Sequence, residues 1–427
     1  MKKIVLKDLD EIIYVDKCDN GMPIYMLVND LVNNFYITLN VKYGSVDTEF
    51  KLEDSEEYIK VPDGIAHYLE HVNFNIGDEE TAHDLFKKYG AQINAYTTFD
   101  FTSYEVFGNS YFEENINNLL DYVQKPYFTD KLIEKERGII IEEVKMGKNR
   151  PGHKLYYGMN KALFKKDKRR NLVTGEVKDV KKITTEQLKL VFDNFYHPEN
   201  MFMVVTGNFD PEEASRIIKE NQSKKTFIKY KNPVRKFDKE PKTVNKEYEE
   251  IECNVEIPKG KLCYKMPISI FGDIDQMILG IHLGAILRNN FGNTSLLREE
   301  LLEKKLVTMV GASSDIDKGL LVIEISFESE HVEEVLEILK DKMRHLEINK
   351  EDIIRRRRAN IASLINGFDD IEYVNSDISY QLIVFDKIYD NMFELYNNTS
   401  IEIAENIIKK LDLSNNSTVI LVPYKKW

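Results

Sequence analysis

Residues Gly64–Phe74 read GIAHYLEHVNF and contain two histidines and a glutamate in the spacing HxxEH. If this stretch is helical, His67 and His71 lie one turn apart on one face, with their Cβ atoms roughly 5–6 Å apart. Two imidazoles at that separation can bind one Zn²⁺, at about 2.0–2.1 Å each. Glu70 projects toward the same side, where it can act as a base beside the metal. A structural role for each histidine is the alternative, because a lone HxxEH also arises by chance.

A catalytic zinc site needs a third protein ligand and keeps a fourth position for water. The segment EKERGIIIEEVKMGKNRP places two carboxylates on one helical face with apolar residues, at i, i+3, i+4 and i+7: Glu136, Ile139, Ile140 and Glu143. An acidic residue on a core-facing stripe is costly unless it is paired or metal-bound. We therefore predict Glu143 as the ligand and Glu136 as the neighbour that orients the ligands. Glu142 points about 100° away and is the lesser candidate.

The elements around these residues recur in the second half of the chain. A helix-like stretch, Glu79–Tyr89, precedes the extended run Gly90–Val106, which is rich in Thr, Tyr and Phe. A helix with apolar residues at i, i+3, i+4 and i+7 then follows. Leu296–Lys305 and the residues after it repeat this order up to the helix that carries Val332 and Leu339. We predict an α+β fold of two homologous-looking domains, with antiparallel sheets backed by helices; chance similarity of two ordinary domains is the alternative.

A basic segment, Ser223–Glu250, separates the two halves. It has two prolines and no sustained apolar periodicity, which is typical of a linker. The predicted domains are therefore an N-terminal zinc-binding catalytic domain at 1–222, a linker at 223–250 and a C-terminal homologous domain without metal at 251–427. The second half contains no HxxEH, and the stretch Ile274–Asn290 offers only His282.

Composition excludes several classes of protein. The 427 residues carry 72 Asp+Glu against 59 Lys+Arg, a formal net charge of −13, which argues against binding to nucleic acid or to an anionic membrane. No apolar run approaches the ~20 residues of a membrane span, and Met1–Asp10 lacks the apolar core of a signal peptide. The three cysteines have no CxxC spacing. We expect a cytoplasmic protein.

Four stretches together resemble a known family. GIAHYLEHVNF, GAQINAYTTFDFTSY, KERGIIIEEVKM and FYHPENMFMVVTGNFD follow one another in the order found in the pitrilysin/insulinase metallopeptidases. These enzymes are inverzincins, in which HxxEH reverses the more familiar HExxH. The size and the two-half layout resemble the bacterial processing-peptidase branch, which is similar to the mitochondrial processing peptidase.

The resemblance implies roles for particular residues. The edge strand Gln92–Thr97 would receive the substrate backbone, although Asn94 could also be a polar residue at a strand bend. The implied zinc ligands are His67, His71 and Glu143. The implied base is Glu70, and Glu136 is a further catalytic carboxylate. The implied substrate-binding residues are Asn94 and Ala95.

The resemblance also implies the function and the partners. We expect a zinc-dependent endopeptidase that acts on peptides or unfolded segments, in maturation of a precursor. The alternative is a peptide-binding or structural subunit with little activity of its own. The stretch Glu303–Gly311 lacks the Arg and Tyr that the second half contributes in family members. We therefore expect a homodimer, or a heterodimer with a zinc-less homologous subunit.

Overall fold

The computed structural model describes residues 1–424 of the chain. The strands in this range are β1 (Lys2–Leu6), β2 (Glu11–Lys17), β3 (Pro23–Val28), β4 (Phe35–Val41), β5 (Glu49–Lys51), β6 (Ile59–Lys60), β7 (Gln92–Thr97), β8 (Thr102–Gly108), β9 (Met201–Gly207), β10 (Val234–Arg235), β11 (Tyr248–Cys253), β12 (Lys259–Pro267), β13 (Met309–Asp317), β14 (Leu320–Glu328) and β15 (Asn416–Pro423). The α-helices are α1 (Ile65–Asn73), α2 (Ala82–Lys87), α3 (Phe112–Gln124), α4 (Asp130–Lys148), α5 (Pro151–Leu163), α6 (Val177–Val180), α7 (Thr185–Phe195), α8 (Pro211–Ser223), α9 (Gln276–Phe291), α10 (Leu296–Glu303), α11 (Val332–Arg344), α12 (Lys350–Gly367), α13 (Ile371–Val384), α14 (Met392–Asn397) and α15 (Ile401–Lys410). Short 3₁₀ helices occupy Lys168–Arg170, Pro198–Asn200 and Ile268–Phe271.

The predicted α+β class and the repeated order of elements are confirmed. The extended run after Gly90 forms the antiparallel pair β7–β8, and the corresponding run in the second half forms β13–β14. Gly90 has a φ of 64°, the left-handed conformation that commonly ends a helix, and α2 ends three residues before it. The helices predicted from apolar spacing are α3 and α11.

The residues group into two compact units that are discontinuous along the chain. Among the described residues, unit 1 comprises 1–145, 172–237 and 364–392, and unit 2 comprises 146–171, 238–363 and 393–424. Two helices lie outside the half in which the sequence places them. Helix α5 comes from the predicted N-terminal domain but belongs to unit 2, and α13 comes from the predicted C-terminal domain but belongs to unit 1. The change from unit 1 to unit 2 after residue 237 falls inside the predicted linker.

The predicted linker is tied down at both ends. Its β10 pairs with β5 in unit 1. Further along, in unit 2, the carboxylate of Glu240 accepts hydrogen bonds from the backbone N–H groups of Lys165, Lys166 and Asp167, at 2.7–2.9 Å. The ammonium of the buried Lys265 also donates to Glu240 at 2.9 Å. These contacts fix the segment to structured elements, so it is not a free solvated connection.

Unit 1 is built on a seven-stranded sheet in the order β1-β2-β3-β9-β4-β8-β7. All its neighbours are antiparallel except β3 and β9, which are parallel. The central strands β4 and β9 are buried along their whole length. Helix α13 packs on them. There Asn375 Oδ1 accepts a buried hydrogen bond from the Thr38 hydroxyl at 2.7 Å, and Asn375 Nδ2 donates to the carbonyl of Val204 at 3.1 Å. β7 lies at the open edge of this sheet.

Unit 2 has a five-stranded sheet in the order β11-β15-β12-β14-β13, with α5 packed against β15 and β12. β11 and β15 are parallel, and the other pairs are antiparallel. His282, on α9, is buried. Its Nδ1 lies 2.7 Å from the carbonyl oxygen of Ile278, and its Nε2 accepts a hydrogen bond from the N–H of Ser400. Both ring nitrogens thus contact backbone groups, which is a structural role.

Among the described residues, no helix combines the length and the apolar character that crossing a membrane requires.

Candidate active site

Helix α1 carries the HxxEH residues and starts at a close crossing of two backbone segments. Gly64 precedes the helix with a φ of 89°, and a Cβ atom there would lie 2.4 Å from the carbonyl oxygen of Thr174. Gly175 has a φ of 71°, and its Cβ would lie 2.4 Å from the carbonyl oxygen of Asp63. Only glycine meets both demands, because it has no side chain and adopts positive φ at little cost.

Replacement of Gly64 by alanine is expected to lower the free energy of unfolding. Positive φ costs a non-glycine residue about 1–3 kcal/mol, and the contact with Thr174 adds to that cost. Denaturant unfolding followed by circular dichroism measures the loss. The matched control is Gly138→Ala on α4, where a Cβ meets nothing within 4 Å and alanine favours the helix. An unchanged midpoint for Gly64→Ala would contradict this account of the crossing.

Hydrogen bonds hold α1 against its neighbours. The Tyr68 hydroxyl donates to the carbonyl of Ile133 on α4. At the other end of the helix, Asn73 Nδ2 donates to the Tyr104 hydroxyl on β8 at 2.8 Å. That hydroxyl also lies 2.8 Å from the hydroxyl of Tyr196, and all these groups are buried. The helix therefore has a fixed position between α4 and the sheet.

The two histidines of α1 meet Glu143 of α4. Glu143 Oε2 lies 3.7 Å from His67 Nε2 and 3.4 Å from His71 Nε2. One ligand atom from each of the three residues falls within 4.8 Å of the others. In residues 1–424 no other group of three or more His, Cys, Asp or Glu side chains has such an arrangement.

This donor set fits a zinc ion. Two ligand atoms at about 2.0–2.2 Å from a tetrahedral zinc lie roughly 3.3–3.6 Å apart, and the two distances to Glu143 are near that range. Two imidazoles and one carboxylate are also a ligand set that catalytic zinc uses. Glu142 points elsewhere and pairs with Lys145 at 2.6 Å, as expected from its position on the helix.

Glu136 lies behind His71. Its carboxylate is buried, with Oε2 3.5 Å from His71 Nδ1, and its Oε1 accepts a hydrogen bond from Asn75 Nδ2 at 3.3 Å. Asn75 also donates to the carbonyl of His71 at 3.2 Å. A carboxylate on the far nitrogen of a ligating histidine fixes the orientation of its ring.

One detail of the α4 prediction is wrong. Ile139 is 47% exposed and does not belong to the apolar face. The buried residues of α4 are Leu132, Ile133, Glu136, Ile140 and Val144, so from Glu136 onward the buried stripe advances in steps of four. Ile139 and Glu143, at i+3 and i+7 from Glu136, therefore lie at the border of that stripe. This border position leaves the Glu143 side chain 47% exposed to solvent.

Glu70 is buried, 6% exposed, and faces the end of the edge strand. Its Oε2 accepts a hydrogen bond of 2.6 Å from Thr97 Oγ1, the last residue of β7. Burial raises the pKa of the Glu70 carboxyl, and the bond from Thr97 opposes that rise. A raised pKa suits a carboxylate that must take up and release a proton.

The pKa values of the two histidines are shifted in opposite directions. Burial, together with the neighbouring His71, lowers the pKa of His67, which leaves its nitrogen free to act as a ligand. Burial also disfavours the charged form of His71, but its hydrogen bonds to Glu136 and Glu143 outweigh that and raise its pKa. His71 would have to release the proton on Nε2 to bind a metal ion through that atom.

The predicted substrate-binding residues lie on β7. Asn94 is exposed, and its Nδ2 donates to Glu105 Oε2 at 3.2 Å; Ala95 is partly exposed and pairs with Tyr104 of β8. Neither residue belongs to the metal-binding group itself. The contacts of Thr97, Asn75 and Gly175 were missed by the sequence analysis. A positional signal existed for Thr97 alone, because it lies within the predicted edge strand.

The structure defines an α+β protein with a candidate metal-binding group of two histidines and a glutamate, and comparison with known proteins identifies its family. The family Insulinase (Peptidase family M16) matches residues 55–175, and the family Peptidase M16 inactive domain matches residues 182–360. The chain therefore belongs to the M16 insulinase family of peptidases.

Relatives cover the whole chain. Bacillus subtilis YmfH, named an uncharacterized zinc protease, is 30% identical over 427 residues and is matched over 99% of both chains. A crystal structure of an M16-like peptidase from Alicyclobacillus acidocaldarius is 26% identical, with a TM-score of 0.89 over 98% of this chain and 100% of that one. A protease from Helicobacter pylori, 17% identical, shares the fold with a TM-score of 0.81 over 96% of this chain and 99% of that chain.

Proposed function

We propose that this chain is a zinc-dependent endopeptidase that hydrolyses peptides or unfolded segments. The observation that carries the proposal is the convergence of His67, His71 and Glu143, with the carboxylate of Glu70 on the same helix. Relatives that are named uncharacterized zinc proteases support the choice of metal. His67, His71 and Glu143 would hold the ion.

Zinc in such a site supplies Lewis-acid polarisation of a carbonyl and makes water nucleophilic at neutral pH. Glu70 would remove a proton from the attacking water and return it to the leaving amine. Glu136 would keep the ring of His71 in its orientation. The half-exposed position of Glu143 leaves room on the open side of the site for a scissile peptide bond.

The edge strand β7 suits an extended substrate. Beyond β7 the sheet of unit 1 has no further strand among the described residues, so β7 offers backbone groups to a peptide that adds as another strand. Asn94 and Ala95 would lie beside that peptide. A substrate bound in this way must be extended, which favours flexible peptides and unfolded segments over folded domains. We propose a precursor peptide or protein in the cytoplasm as the natural substrate.

Metal removal tests the proposed function. The purified chain is expected to contain close to one zinc per chain and to cleave an unstructured reporter peptide. A chelator should remove both the zinc and the cleavage, and added zinc should restore them. The control is a chelator already saturated with zinc. Cleavage that survives complete removal of the metal would contradict the proposal.

A second candidate is a peptide-binding or structural subunit with little activity of its own. The match of residues 182–360 to a domain described as inactive favours it. A peptide that binds the zinc-loaded chain but stays uncleaved for hours would support this candidate over the first.

We also propose that the chain works as a dimer, with itself or with a zinc-less homologous subunit. The stretch Glu303–Gly311, without Arg or Tyr, motivates the proposal. A purified chain that is monomeric, and whose cleavage rate does not rise on co-expression with such a homologue, would contradict it.

A further inference from the structure

The Glu70 carboxylate has one hydrogen-bond partner among the side chains of the described residues, and that partner is Thr97. The donor is Thr97 Oγ1, at 2.6 Å from Glu70 Oε2. A carboxylate without such a partner rotates about its last torsion, which has a broad energy profile. A hydrogen bond to one oxygen fixes the plane of the group and aims the other oxygen.

The direction of this hydrogen bond follows from the neighbouring hydroxyl. Thr97 Oγ1 also lies 3.4 Å from Thr102 Oγ1, but Thr102 donates its own proton to the carbonyl of Tyr43 at 3.0 Å. Thr102 therefore has no proton to donate to Thr97. The hydroxyl of Thr97 keeps its own proton, and the 2.6 Å distance to Glu70 Oε2 shows that the carboxylate accepts it. Each hydroxyl has one proton, so the 3.4 Å approach of the two hydroxyl oxygens is not itself a hydrogen bond.

The strand that carries Thr97 is fixed to the helix that carries Glu70. Thr97 pairs with Thr102, and two residues earlier Ala95 pairs with Tyr104. The hydroxyl of Tyr104 accepts the hydrogen bond from Asn73, the last residue of α1. The helix and the strand pair are therefore connected twice, through Asn73 with Tyr104 and through Glu70 with Thr97.

We propose that Thr97 is a positioning residue that holds the Glu70 carboxylate in its reactive orientation relative to a peptide on β7. The inference rests on the proposed function, because it assigns Thr97 to the reaction of that site. Since Thr97 is the last residue of the strand that would bind the peptide, the base and the substrate share one rigid frame. Misplacement of a reacting group by about 1 Å costs about 100-fold in rate.

The test compares Thr97→Val, which removes the hydroxyl and keeps the shape, with Thr97→Ser, which keeps the hydroxyl. Thr97→Val is expected to lower kcat by about 10–100-fold and to change KM by less than about 3-fold, with the zinc content unchanged. Thr97→Ser should recover kcat to within about 5-fold of the wild type. The matched control is Thr308→Val in unit 2, which removes another threonine-to-glutamate hydrogen bond, from Thr308 to Glu328.

Crystal structures of the three zinc-loaded proteins give a readout besides activity. The Glu70 carboxylate should be rotated or in several orientations in Thr97→Val, and ordered in the wild type and in Thr97→Ser. A kcat for Thr97→Val equal to that of the wild type, or a rise in KM alone, would overturn the inference. If the wild type itself fails to cleave while Glu70 is reoriented in Thr97→Val, the proposed function fails, and only the part of the inference that says Thr97 orients the Glu70 carboxylate remains.

Discussion

Glu70→Gln is expected to abolish peptide hydrolysis while the protein keeps its zinc. Glutamine has nearly the same shape and still accepts the hydrogen bond from Thr97 through its carbonyl oxygen, so the buried site stays packed. It cannot take up the proton of the attacking water. General base catalysis contributes about 100- to 10,000-fold to a rate, so kcat should fall by at least about 100-fold. Cleavage of a reporter peptide and zinc content per chain are the two measurements.

The matched control for this substitution is Glu142→Gln. It makes the same chemical change on an exposed side chain, whose partner is Lys145. Its kcat should remain within about 2-fold of the wild type. Turnover by Glu70→Gln at the rate of the wild type would show that another group is the base, and loss of zinc from this variant would show that Glu70 supports the metal.

The second large effect is expected from the zinc ligands. Replacement of a residue that only orients a ligand typically costs 10–100-fold in metal affinity, so loss of a ligand itself should cost more than about 100-fold. His71→Ala removes a ligand and also leaves the buried carboxylate of Glu136 without its histidine. We therefore expect His71→Ala to lose zinc, to lose activity and to be less stable.

Glu143→Gln separates the loss of metal from the loss of folding. The Glu143 side chain is 47% exposed, so its replacement does not leave a buried charge unpaired. This variant should lose zinc and activity and keep the unfolding midpoint of the metal-free wild type. His345→Ala, at an exposed histidine beside Asp341, is the control that changes neither property. Full zinc occupancy in Glu143→Gln would remove Glu143 from the ligand set.

The parts of the site that depend on local geometry could be predicted from the sequence. The spacing of His67, Glu70 and His71 fixes their relation once the segment is helical. The choice of Glu143 over Glu142 followed from the turn of one helix; in the structure Glu143 contacts His71 and Glu142 pairs with Lys145, and the role of Glu143 as a ligand stays a prediction. The exposed position of Ile139 was not predicted, because apolar spacing alone does not distinguish the centre of a buried stripe from its border.

Contacts between distant parts of the chain could not be predicted. Apolar periodicity shows that α5 and α13 each bury a face, but it does not tell which sheet covers that face. The predicted halves therefore differ from the compact units in the placement of these two helices. The contacts of Asn75 with Glu136 and of Thr97 with Glu70 likewise depend on the tertiary arrangement, since 61 and 27 residues separate the partners.

The most direct test of the zinc centre is an anomalous difference map, recorded at the zinc absorption edge from crystals of the zinc-loaded Glu70→Gln protein. This variant preserves the ligands and cannot consume a peptide that is bound with it. We predict one strong peak in each chain, bonded to His67 Nε2, His71 Nε2 and a carboxylate oxygen of Glu143. A peak bonded to other residues, or no peak in crystals grown with excess zinc, would contradict the account.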